Sequence, residues 1–65
     1  MENNNVIKLM QSLEKEFLAS CDDAERFVSG NKSAGTRVRK YMQSIKKLAQ
    51  EIRVEIQEQK HAVTA

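Results

Sequence analysis

A chain of 65 residues with no proline and one cysteine holds at most one small domain, and it lacks the staples such a domain usually needs. A unit this size buries only about 60% of its unfolded surface; a lone cysteine excludes an internal disulfide, and no Cys/His cluster has metal-ligand spacing, so oligomerisation is the remaining support. The net charge of +2 is unevenly divided: in residues 1–29 three bases less six acids give −3, and in residues 30–65 eight bases less three acids give +5, an asymmetry that points to an anionic partner.

The N-terminal MENNNV has an acid and no cationic region, so it does not read as a signal peptide. No apolar run approaches the ~20 residues that span a bilayer. The single thiol suits a reducing interior, and the expected location is cytoplasmic, at the nucleoid.

The first predicted helix covers about residues 4–29. Its apolar residues recur at Val6, Met10, Leu13, Phe17, Ala24 and Phe27, with Ser20 filling one place in the series. Spacings of three and four mark one helix face. The turn is expected at residues 30–31: Gly30 suits the left-handed position just past a helix end, and Asn31 suits the N-cap of the second helix, with Ser33 as a rival cap. The second helix covers about residues 32–61, with apolar positions at Ala34, Val38, Tyr41, Ile45, Leu48, Ile52 and Ile56.

A two-residue turn makes antiparallel neighbours, so the numbers of facing residues should sum to about 61 or 62. The two series obey this, pairing Phe27 with Ala34, Ser20 with Tyr41, Leu13 with Leu48 and Val6 with Ile56. The fold class is therefore all-α, a two-helix antiparallel hairpin in a single domain. A second apolar row contains Ile7, Cys21 and Val28 on the first helix and Met42, Ala49, Ile56 and Val63 on the second, interrupted by Glu14. So wide an apolar face on so small a unit implies a partner surface. A second copy is the simplest partner, making a homodimeric four-helix bundle with Ile7, Cys21, Val28, Met42, Ala49 and Ile56 in the interface; a widened monomer seam is the rival account.

The stretch GNKSAGTRVRKYMQSIKKLAQEIR carries seven of the eleven Lys and Arg residues. Lys32, Arg39, Lys46, Arg53 and Lys60 fall seven apart, with Arg37, Lys40 and Lys47 beside them. A solvated face with surface pairs, Glu16 to Lys46, Glu14 to Lys47 and Asp23 to Arg37, is the plain account, each pair contributing about 0–1 kcal/mol. Three features favour a phosphate surface instead. Cations at the start of the second helix oppose its dipole, and with unpaired N–H groups they would make an anion site. Gly35 lies in the first turns of that helix, where it costs about 1 kcal/mol against Ala; it implies close backbone approach to a ligand or to Val28 across the turn. Arg26, Ser33 and Thr36 add donors at the hairpin tip.

The run AERFVSGNKSAGTRVRKYMQSIKKLAQEIR resembles the bacterial histone-like family typified by the linker-histone-like protein of chlamydiae, over roughly residues 6–56. The resemblance rests on a Gly-Asn-Lys turn, small residues and an Arg-x-Arg-Lys run, and it implies a DNA-binding, nucleoid-associated protein with Lys32, Arg37, Arg39 and Lys40 carried over. The lysine-rich C-terminal tail of chlamydial members has no counterpart in EIQEQKHAVTA.

Catalysis finds no support: His61 is the one histidine, near a chain end, and Cys21 has no base at readable spacing. Neither catalytic, cofactor nor metal residues are expected, and neither a small-molecule substrate nor a membrane partner. The expected function is non-sequence-specific binding of the duplex DNA phosphate backbone through Lys32, Arg37, Arg39, Lys40, Lys46, Lys47 and Arg53. The alternative is a dimeric helical protein–protein interaction module without DNA binding.

Overall fold

The computed structural model describes residues 4–64, with side chains as far as His61; Met1 to Asn3 and the side chain of Val63 lie outside the described residues. Two helices pack against each other, α1 (Asn5–Val28) and α2 (Lys32–Thr64). The hairpin measures 53 × 19 × 11 Å, its length set by α2 at ~1.5 Å per residue.

Local chemistry fixes both ends of α1 and the start of α2. The Asn4 side chain accepts from the Val6 N–H at 2.8 Å, capping α1. At the other end the Gly30 N–H donates to the Phe27 carbonyl and the Asn31 N–H to the Arg26 carbonyl, both at 2.9 Å. These two bonds make a Schellman motif, which requires a left-handed residue after the helix; Gly30 supplies it at φ 114°. The Asn31 side chain then accepts from the Ala34 N–H at 3.1 Å and caps α2. Gly30 and Asn31 thus play the expected roles, and Asn31 rather than Ser33 is the cap.

The interhelical register lies within about one residue of the expected sums. Asn4 and Gln59 exchange side-chain hydrogen bonds at 3.1 and 3.2 Å, and the Asn5 side chain donates to Glu55 at 3.2 Å. Near the turn Arg37 Nε donates to Asp23 at 3.0 Å.

The facing rows differ from expectation at one position of α2 and more widely on α1. On α2 the row Ala34, Val38, Tyr41, Ile45, Leu48 and Ile52 is covered as expected, but Ile56 is 42% exposed. On α1, Met10, Phe17 and Phe27 are about half exposed, while Leu9, Glu16 and Asp23 turn inward. The helix is rolled toward its polar edge, because Asp23 reaches Arg37 there and the small Ser20 and Ala34 let the backbones approach. Ser20 satisfies its own hydroxyl by donating to the Phe17 carbonyl at 2.7 Å. The roll leaves a thin core: among the described residues only Ala34 and Ile52 are buried apolar side chains.

Candidate functional site

Gly35 is explained by packing inside the hairpin. A Cβ at Gly35 would sit 2.6 and 2.8 Å from two carbons of the Phe27 ring. The contact crosses the turn, as one expected reading had it, but the residue is Phe27; Val28 points away and is 83% exposed. The ring direction, set by the roll of α1, decides between these neighbours, and spacing alone does not give it.

Two cations near the tip are held by acids. Arg37 lies 3.0 Å from Asp23, whose side chain is nearly buried, as the sequence pairing anticipated. Arg26 lies 3.2 Å from Asp22 one turn back on α1. The position of Arg37 near the start of α2, unfavourable for the helix dipole, is therefore compensated within the fold. The pair uses Nε, and the Arg37 side chain keeps 45% exposure.

The remaining expected contacts stand differently. Lys32, Arg39, Lys40, Lys46, Lys47 and Arg53 are exposed. Among the described residues none of the six is in an ion pair, so the expected pairs of Glu16 with Lys46 and Glu14 with Lys47 are not formed. The roll of α1 accounts for Glu16: it turns into the cleft and lines a groove with Arg37, Lys40 and Tyr41. Glu14 turns to the opposite flank, in a groove with Ile7, Met10 and Phe17.

Geometry sorts the six cations into two rows. Lys32, Arg39, Lys46 and Arg53 recur every seven residues and run along the outer side of α2 for about 32 Å at ~1.5 Å per residue. Arg39 and Lys46 share a groove with Val38, Met42 and Gln43. Lys40 and Lys47 lie on the other side of α2, also seven apart. No acid occupies the first turn of α2, and the nearest acid following the row on that helix is Glu51. Positive charge ordered along one exposed helix raises the local potential over a strip rather than a point.

Among the described residues no other chemistry is assembled, and no group of three His, Cys, Asp or Glu could hold a metal ion. Cys21 is exposed, and Tyr41 is half-buried in the cleft, lining a groove with Glu16, Arg37 and Lys40. No described helix is long and apolar enough to cross a membrane.

Residues 7–62 match the profile of a family described as Histone H1-like protein Hc1. No curated protein and no solved structure matches the chain.

Proposed function

The chain belongs to the histone H1-like Hc1 family, matched over residues 7–62, and from that premise we propose that it is a DNA-binding chromatin protein that grips duplex DNA by its phosphates. The observation that carries the proposal is the set of six exposed, unpaired cations on α2: Lys32, Arg39, Lys40, Lys46, Lys47 and Arg53. Such charges find no partner inside the hairpin, and phosphate oxygens are the chemistry that ordered Lys and Arg attract. Arg37 contributes less than its sequence position suggests, because Asp23 already holds it. Binding centres on the length of α2 rather than on the hairpin tip.

Recognition without a free aromatic on this face and without an insertable third helix is sequence-independent. Binding of this kind places the protein with the chromosome, in the cytoplasm at the nucleoid. With about five phosphates neutralised, log K falls with log salt at a slope near −4.5. Affinity then drops on the order of several hundred-fold between 50 and 200 mM salt.

A mobility-shift titration on an arbitrary duplex at several salt concentrations tests this. Replacing Arg39, Lys40 and Lys47 together with Gln should flatten the slope by about 1 per charge removed. Arg37→Gln should change it less than Arg39→Gln. Absence of duplex binding at low salt, or a slope indifferent to the triple substitution, would sink the proposal and favour a protein–protein module.

A further inference from the structure

One flank of the hairpin is apolar and open. In an antiparallel hairpin the position following a seam residue falls on the same flank for both helices, because the second helix reverses both its direction and its facing. That flank therefore collects Ile7 and Met10 with Phe17 from α1, and Met42 and Ile56 from α2, all between 42% and 51% exposed. Glu14 is the one charge in the α1 row. The far rim, on α2, is the row of Arg39, Lys46 and Arg53, as the groove shared by Met42, Arg39 and Lys46 shows.

We propose that a second copy of this chain covers this flank, with α1 of each hairpin lying on α2 of the other and both turns at the same end. Charge selects this arrangement. Two face-to-face two-fold arrangements exist. With the axis across the helices, α2 lies on α2 and the Arg39–Lys46–Arg53 rim meets its own copy, while Glu14 meets the apolar row. With the axis along the helices, the acidic first half of each chain lies on the basic second half of the other. Levels along the hairpin are then preserved between copies. The register that joins Asp23 to Arg37 and Asn5 to Glu55 puts residue 14 level with residue 46. Glu14 of each copy thus faces Lys46 of the other. Within one hairpin the same two residues stand on opposite rims of the flank and form no ion pair among the described residues. The arrangement also buries the five half-exposed apolar side chains of this flank, Ile7, Met10, Phe17, Met42 and Ile56.

The interface is independent of nucleic acid and is tested in its absence. Sedimentation equilibrium of the whole chain at low salt should show a dimer. Glu14→Lys and Lys46→Glu should each weaken dimerisation at least about tenfold, since each creates two like-charge contacts per dimer. Mixing the two variants in equal amounts should restore dimerisation to near the native level, because the mixed pair re-forms both opposite-charge contacts. Helicity by circular dichroism confirms that each variant is folded before mixing. A native chain that stays monomeric at tens of micromolar overturns the proposal and assigns the flank to a different protein. Mixed variants that gain nothing over either alone overturn it equally, as the axis across the helices brings residues 14 and 46 nowhere near each other.

Discussion

Removing Arg37 should destabilise the hairpin more than neutralising its partner. Asp23 is 7% exposed, and its charge is matched by Arg37 alone among the described residues. A fully buried charge stripped of its partner costs about 3–5 kcal/mol. Arg37 is 45% exposed, so water enters the space it vacates, and screening brings the expected cost of Arg37→Ala down to about 1–2 kcal/mol. Asp23→Asn removes the buried charge and leaves a guanidinium that can turn to solvent, at about 0.5 kcal/mol. Leu at both positions exchanges the pair for apolar contact and should recover most of the loss. A double-mutant cycle by urea denaturation, followed by circular dichroism, measures the coupling, expected near 1 kcal/mol. Protein concentration must be held constant, because association adds to apparent stability. Equal costs for Arg37→Ala and Asp23→Asn, or strict additivity in the cycle, would refute the view that the pair holds the tip. Arg37→Glu is a poor probe of DNA binding for the same reason: it sets two acids together and disturbs the fold itself.

Two further substitutions test the turn. Gly30→Ala meets no atom within 4 Å, so its cost is purely that of φ 114° in an L-residue, about 1–2 kcal/mol in the same urea assay; a neutral result would mean that the turn can adopt another backbone. Gly35→Ala regains about 1 kcal/mol of helix propensity but displaces a half-exposed Phe27 ring whose remaining burial is worth about as much. The net change should stay within about 1 kcal/mol while the Phe27 ring signals shift by NMR, and unchanged ring shifts would contradict the contact.

The turn was legible in the sequence because its caps act locally: Gly30 and Asn31 bond to backbone no more than five residues away. The antiparallel register was legible because a short turn leaves one pairing in which both apolar rows meet, and Asp23–Arg37 falls out of it. The roll of α1 was not. Met10, Phe17 and Phe27 fit the face pattern as well as Leu9 does, and a helix can turn by half a residue step without changing its periodicity. Glu16 as the neighbour of Lys40, and Phe27 as the cover of Gly35, depend on that roll.

Two helices, their caps, their pairing and the excess of positive charge on α2 are written in the order of the residues, since each follows from near neighbours or from periodicity. Which cations are already neutralised, and which apolar residues stay outside, was settled by packing. Those outcomes depend on distances across the cleft, where a roll of one helix exchanges a phenylalanine for an aspartate.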